Sequence, residues 1–165
     1  MKEERLYLVG YMASGKTTLG RAIAEAWGAQ FVDLDEEVER SEGIPVKDFI
    51  LERGEEAFRR AESMALKATA GLKRAVIACG GDTPCWRDNM EFMTLHGMTA
   101  WLVASPETLA RRILEAGPTR PLAKGKTPEE LTEFVRKHLL ERQPYYCRAE
   151  MRINTENLEN DSHTR

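Results

Sequence analysis

The chain has 165 residues, 42% hydrophobic and 31% charged, a balance that suits one compact domain with a buried core. Its 24 basic and 27 acidic side chains leave a net charge of -3, so no overall basic field exists to gather nucleic acid phosphates. The longest apolar runs, Ala75 to Cys79 and Thr99 to Ala104, fall far short of the roughly 20 residues of a membrane span, which argues against a membrane protein.

Met1 to Arg5 passes straight into a short apolar run without a cleavage site, so a cytoplasmic protein is expected. Cys79, Cys85 and Cys147 are odd in number and lack CxxC spacing, the pattern of reduced thiols rather than of a disulfide framework or a zinc site.

Arg5 to Val9 reads as a strand ended by Gly10. From Gly15, Leu19, Ile23, Ala26 and Trp27 follow at helical spacing until Gly28 closes the segment. Phe31-Val32 is a second strand running into Asp33 and Asp35, followed by a charged, helix-compatible stretch from Glu36 to Arg40. After Gly43 and Pro45 a short helix places Val46, Phe49 and Ile50 on one face. The recurrence of Ala57, Phe58, Ala61, Met64, Ala65 and Ala68 predicts a longer helix from about Glu55 to Leu72.

Ala75 to Cys79 is apolar on both faces, as in a buried parallel strand, and ends at Gly80-Gly81. Arg87 to His96 suggests a helix, and Thr99 to Val103 another buried strand. Ser105 and Pro106 then supply an N-cap and a first helical residue. Gly117 to Gly125, with two Gly and two Pro, is too punctuated for regular structure and reads as a mobile loop. Thr127 and Glu130 form a capping box for a helix running toward Arg142, where Pro144 is expected to stop it. Met151 to Asn154 suggests a last strand, and the polar tail from Glu156 to Arg165 is expected to fray. Strands alternating with helices predict a parallel α/β sheet covered on both faces, with ligands at the carboxyl ends of its strands.

Gly10 to Thr17 (GYMASGKT) fits G-x-x-x-x-G-K-[ST] between a predicted strand and a predicted helix, the context this phosphate-binding loop requires. Its glycines let backbone N–H groups curl round phosphate oxygens at a helix N-terminus. Lys16 brings a point charge to the β- and γ-phosphates, and the Thr17 hydroxyl a ligand for Mg²⁺. The motif therefore implies ATP or GTP with Mg²⁺. It does not name the reaction, which motors, GTPases and small-molecule kinases share. The short chain and the lack of an NKxD-like guanine-reading motif favour a small kinase or a compact GTPase-like module.

Asp33 and Asp35 lie two residues apart at a predicted strand end, so in extended geometry both face the same side. One could order the water shell of Mg²⁺ while the other holds an acceptor hydroxyl and takes its proton; alternatively, both cap the following helix. On the long helix, Arg59 can grip a carboxylate if it faces the sheet ends, whereas Arg60 is read as a solvated charge. Arg142 is either a second anion-gripping residue or a cation favoured by the helix dipole. Arg120 could close from its loop over a γ-phosphate, or be an exposed loop charge. Arg111 and Arg112 either flank an adenine or form a solvated pair. His96, His138 and His163 share no spacing that suggests chemistry, and Trp27, Trp86 and Trp101 read as packing residues.

Taken together, GYMASGKTTLG, FVDLD, GEEAFRRAE, the strand ending in GGD, TRPL and ERQPYY occur in an order and spacing that resembles the bacterial shikimate kinases, from about Leu6 to Ile153. The resemblance implies a P-loop kinase with a five-stranded parallel sheet, a substrate-binding helical region at about 34–62 and a mobile lid at about 114–127. It implies transfer of the ATP γ-phosphate to the 3-hydroxyl of shikimate, a step of aromatic amino-acid biosynthesis, by a cytoplasmic monomer. Ala13, Ser14, Gly15, Lys16, Thr17 and Thr18 would hold ATP, with Thr17 on Mg²⁺ and Asp33 in its outer shell. Asp35 would hold the acceptor hydroxyl and act as base. Arg59 and Arg142 would clamp the shikimate carboxylate, Gly81 would offer its backbone to the substrate, and Arg120 would close onto ATP. Glu62 would orient Arg59 from the next helical turn.

The family pattern has three glycines after the third strand, where this chain reads Gly80-Gly81-Asp82. An aspartate there is expected to strain a backbone conformation reserved for glycine, and to repel a carboxylate substrate where it points inward. Two alternatives stand beside shikimate kinase: a kinase of the same fold for gluconate or a nucleoside monophosphate, and a nucleotide-binding module without catalysis.

Overall fold

A computed structural model of the chain describes residues 4–117 and 122–158. Five strands, β1 (Arg5–Val9), β2 (Gln30–Asp33), β3 (Ala75–Ala78), β4 (Met98–Val103) and β5 (Met151–Asn154), form one sheet in the order β2-β3-β1-β4-β5. Each pairing is parallel. The helices between them are α1 (Lys16–Trp27), α2 (Leu34–Glu42), α3 (Val46–Arg53), α4 (Glu55–Ala68), α5 (Asn89–His96), α6 (Pro106–Ala116) and α7 (Pro128–Tyr146). None among the described residues is long and apolar enough to cross a membrane.

Ala78 pairs with Leu8 on one side and Asp33 on the other, so β1, β2 and β3 end at the same level. The segments following Val9, Asp33 and Ala78 therefore emerge side by side. The chain leaves β1 toward one edge and later crosses to β4 on the other side, a reversal of strand order that opens a crevice at the carboxyl ends.

Side-chain alternation divides the core. Tyr7, Val9, Ile77, Cys79 and Trp101 face Leu66 of α4, Met90 and Met93 of α5 and Tyr146 of α7. Leu8, Val76, Ala100 and Leu102 face α1 through Ala24, Leu19, Ile23 and Trp27. Each large aliphatic side chain buried in these layers contributes about 1.5–3 kcal/mol. Val38, Phe49 and Phe58 form a separate cluster that fastens α2, α3 and α4 together, with the two phenylalanine rings edge to face at 6.2 Å. Tyr11, Leu109, Ile113, Leu131 and Val135 tie α6 and α7 to the loop after β1.

Three expectations are corrected. The helix expected over Glu55 to Leu72 becomes a 3-10 turn at Thr69–Gly71, ahead of the strand. Pro144 does not stop α7, which continues to Tyr146. Proline removes only the bond to the carbonyl of Leu140, whose 64%-exposed side chain marks a wet face of the helix, while the fully buried Tyr146 anchors the last turn. The tail is held at its start, through Thr155 and Glu156, while its residues 159–165 lie outside the described residues. Thr155 donates its N–H to the Val103 carbonyl (2.8 Å) and its hydroxyl to the Ser14 carbonyl (2.7 Å). The carboxylate of Glu156 accepts from the Ser105 N–H (2.8 Å), the Ser105 hydroxyl (2.9 Å) and the Thr108 hydroxyl.

Candidate functional site

Between β1 and α1 the chain makes a turn that begins at Gly10 and ends at Gly15. Gly10 has φ 151°, and a Cβ there would lie 2.8 Å from Ser14 Oγ and 2.9 Å from the Leu102 carbonyl, so only glycine fits. Ala13 sits in the left-handed region at φ 67°, a conformation costly for alanine and held by the surrounding loop. Gly15 caps α1 without a side-chain bond, which leaves the first N–H groups of the helix available. Lys16 folds back over the loop and donates from Nζ to the carbonyls of Gly10 (2.5 Å) and Tyr11 (3.1 Å). Burial pushes its ammonium down to about 8, a shift that the carboxylates of Asp35 and Asp33 oppose. Thr17 is exposed. The loop forms one wall of a cavity of about 410 Å³ lined by Met12 to Thr18, Asp33, Asp35, Ala78 to Gly81, Arg112 and Ala116. The six residues expected to hold ATP all lie on it.

Asp33 and Asp35 line the same cavity, but not as neighbours on one strand face. Asp33 is the last residue of β2 and the N-cap of α2, its Oδ1 accepting from the N–H groups of Asp35 (2.9 Å) and Glu36 (3.3 Å). Capping by Asp33 starts the helix one residue earlier than extended geometry required, and Asp35 projects from its first turn. Burial raises the Asp35 carboxyl above the ordinary aspartate range, the charge of Asp33 adds to the rise, and Lys16 opposes it.

Beyond Gly80 the site turns cationic. A Cβ at Gly80 would come within 2.8 Å of Glu62 Oε2 and 3.1 Å of Thr83 Oγ1, which allows no side chain. Glu62 is 1% exposed; its Oε1 accepts from Arg59 Nη1 at 3.2 Å, and Glu55 adds a longer contact of 3.4 Å to Arg59 Nη2. Arg142 reaches the same place from α7, its guanidinium 5.1 Å from the centre of the Tyr11 ring. A Cβ at Gly81 would lie 3.1 Å from Arg142 Nη1. Arg59 and Arg142, 83 positions apart in the chain, thus converge on one point, and Arg60 instead pairs with Glu56 on the exposed face, as expected.

Asp82 departs from expectation. Its backbone, at φ −97° and ψ −5°, is open to any residue, so no glycine is required. Its side chain points inward, with Oδ2 2.9 Å from Arg59 Nη2 and Oδ1 2.6 Å from Arg142 Nη2. A second cavity of about 420 Å³, lined by Glu55, Glu56, Arg59, Asp82, Cys85 and Trp86, adjoins this bridge.

Arg120 and most of its loop's first half, residues 118–121, lie outside the described residues. Arg111 pairs with Glu115 on the surface, but Arg112 is neither an exposed nor a solvated partner to it. Arg112 is 7% exposed and donates to the carbonyls of Ala13 (3.3 Å), Thr155, Glu156 (3.3 Å) and Leu158 (3.0 Å). Tyr146, a residue to which the sequence alone assigns no role, donates its hydroxyl to the Gly81 carbonyl at 2.6 Å. Its place four residues after Arg142, on the same helix face, was the available signal. His138 accepts or donates at 2.9 Å to the Tyr11 hydroxyl and supports the ring beneath Arg142.

A polyphosphate loop with a half-buried lysine and a carboxylate of raised proton affinity line one cavity, and two arginines converge on Asp82, next to Gly81 of that cavity's wall, an arrangement suited to moving a phosphoryl group onto an anionic acceptor. Known proteins match this assembly. The family model described as shikimate kinase covers residues 12–164. A shikimate kinase of Parabacteroides distasonis is 41% identical over 162 residues, covering 97% of this chain and 94% of that protein. The crystal structure of the Bacteroides thetaiotaomicron shikimate kinase superposes with a TM-score of 0.89 at 40% identity, covering 96% of this chain and 90% of that one. A shikimate kinase from Acinetobacter baumannii, solved in complex with shikimate, gives 0.83 at 31% identity, covering 98% and 88%. With sheet order, phosphate loop and near full-length sequence similarity in agreement, the chain belongs to the shikimate kinase family.

Proposed function

We propose that this protein transfers the γ-phosphoryl group of ATP to the 3-hydroxyl of shikimate. The observation that carries the reading is the convergence of Arg59 and Arg142 beside Gly81, at the far end of the cleft that begins with the phosphate loop. Two guanidinium groups there suit the acceptor's carboxylate, which would turn its hydroxyls toward Asp35. Asp35, with its raised proton affinity, accepts the hydroxyl proton as the phosphoryl group arrives. Lys16 and the N–H groups of Ala13 to Thr18 offset the charge on the transferring phosphate. Glu62 holds Arg59 in the orientation that receives the acceptor. Arg120 is the cation assigned to the lid.

The donor set fits Mg²⁺. Thr17 offers an exposed hydroxyl and Asp33 a carboxylate on the same cavity, and among the described residues no group of three His, Cys, Asp or Glu forms a protein cage for a metal. Mg²⁺ characteristically takes one or two protein oxygens and keeps water and phosphate for the rest. Bound there, the ion would neutralise the phosphate oxygens; Thr17 would ligate it and Asp33 would order its water. We place the enzyme in the cytoplasm as a monomer. Its three thiols are free, as in a reducing compartment, and the most exposed large apolar side chains among the described residues, Leu51, Met64, Leu95 and Leu140, stand on four different helices.

The test is ADP release with MgATP and shikimate, gluconate, AMP, CMP or no acceptor, in the native protein and in Asp35→Asn. Turnover with shikimate alone is expected, reduced about 10²-fold or more by Asp35→Asn with ATP affinity unchanged. Turnover with gluconate or a nucleotide instead, or ATP binding without any turnover, would overturn the assignment.

A further inference from the structure

The two arginines assigned to the acceptor's carboxylate already hold one. Asp82 places one carboxylate oxygen on each guanidinium, Oδ1 on Arg142 at 2.6 Å and Oδ2 on Arg59 at 2.9 Å. This is how a ligand carboxylate would sit between two converging arginines, with a charge-assisted bond to each. Relative exposure separates the partners: the side chains of Arg59 and Arg142 are 15% and 11% exposed, and that of Asp82 is 35% exposed. The arginines are fixed from behind, Arg59 by buried Glu62 and Arg142 by the Tyr11 ring. Asp82 hangs from a short 3-10 turn, Thr83–Cys85, at the wall of the open cavity beside Trp86.

Resting on the clamp assignment above, we infer that Asp82 is a specificity-determining residue, an internal carboxylate that occupies the acceptor's anion clamp and must be displaced before a carboxylated acceptor can bind. The charge balance requires displacement. With Asp82 in place, Arg59 faces Glu62 and Asp82 together, and a third carboxylate entering the same point would meet uncompensated negative charge. The aspartate is tethered next to its arginines, so its local concentration far exceeds that of a free acceptor, and it competes without any loss of translational freedom. Its exposure keeps the cost of leaving moderate, because water can solvate the released carboxylate. The substitution therefore weakens binding of a carboxylated acceptor while leaving a neutral analogue of the same ring untouched. It also favours return of Asp82 to the clamp when product departs.

The test compares shikimate with its methyl ester, by calorimetric affinity and by KM, in the native enzyme, Asp82→Asn and Asp82→Gly. Removing a half-buried carboxylate with a charge-assisted bond to each arginine is expected to tighten shikimate binding on the order of tenfold in both variants. Affinity for the methyl ester and KM for ATP should stay within about twofold, the spread of an ordinary surface substitution. An unchanged shikimate affinity overturns the inference, as does an equal shift for acid and ester, which a general loosening of the 3-10 turn would produce. Arg142→Gln distinguishes the premise from the inference. If shikimate affinity survives that substitution in the native background, the clamp assignment itself is wrong; if it falls while the Asp82 variants bind no better, only the role of Asp82 is lost.

Discussion

Lys16 links nucleotide binding to pH. Its ammonium, buried against the carbonyls of Gly10 and Tyr11, loses its proton at about pH 8 rather than at the ordinary 10.5. In the free enzyme about nine-tenths of the molecules then carry the charge at pH 7 and about one-tenth at pH 9. The terminal phosphate of ATP, with its last pKa at about 6, is already largely ionised at pH 7, so the nucleotide's own charge changes little over this range. Polyphosphate binding favours the ammonium form, so binding draws a proton onto Lys16, and affinity falls as pH rises through 8. The drop between pH 7 and pH 9 should be on the order of tenfold. Titration calorimetry near pH 8, in two buffers of different ionisation heat, should report uptake of about half a proton per ATP. Lys16→Met should bind weakly, show no uptake and have no turnover. A native affinity that stays flat from pH 7 to pH 9, with no buffer dependence, would refute the reasoning.

Tyr146→Phe removes only the hydroxyl that donates to the Gly81 carbonyl at 2.6 Å, and should cost about 1 kcal/mol of stability. Calorimetry should show a Tm lower by about 2–4 °C, with a raised acceptor KM as the Gly81 backbone loosens; an unchanged Tm would count against the bond. Glu156→Ala strips the start of α6 of the carboxylate that receives Ser105 and Thr108, and should cost about 1 kcal/mol at neutral pH in denaturant unfolding. Hydrogen bonds from Thr108 and Ser105 hold the Glu156 carboxyl below the ordinary 4.5, so its contribution is present above that pH and fades as pH falls through the lowered value. The substitution should therefore matter at pH 7 and vanish in strong acid; equal destabilisation at both would show a different cause.

The phosphate loop was legible in the sequence because its chemistry is local. Eight consecutive residues between a strand and a helix bring their own glycines, lysine and hydroxyl. The parallel sheet was legible for a related reason, since strands apolar on both faces, such as Ala75 to Cys79, demand cover on both sides. Asp33 and Asp35 line the same cavity as the phosphate loop, but without the shared strand face that their spacing suggests. Residue spacing leaves extended geometry and helix capping both open, and the Asp33 carboxylate caps a helix beginning at Leu34 while Asp35 does not. Pro144 misled because a rule about interior prolines met a last turn anchored by buried Tyr146. The Asp82 bridge was out of reach, since it depends on the orientation of three side chains from α4, α7 and the turn after β3. The role of Arg112 stayed hidden for the same reason: its four acceptors are backbone carbonyls, which carry no residue-specific mark.

The bonds from Arg112 and Thr155 to the phosphate loop also have a meaning in time. Ala13 and Ser14 belong to the first tenth of the chain, yet their carbonyls are held by a residue of α6 and by Thr155, just past the last strand. A polypeptide emerging from the ribosome displays its nucleotide-binding motif almost at once, but Arg112 arrives about a hundred residues later and Thr155, which holds both Ser14 and Arg112, only after about 155 residues have been made. The site whose sequence appears first is thus completed last, and a half-made chain carries the motif without the rigid cradle.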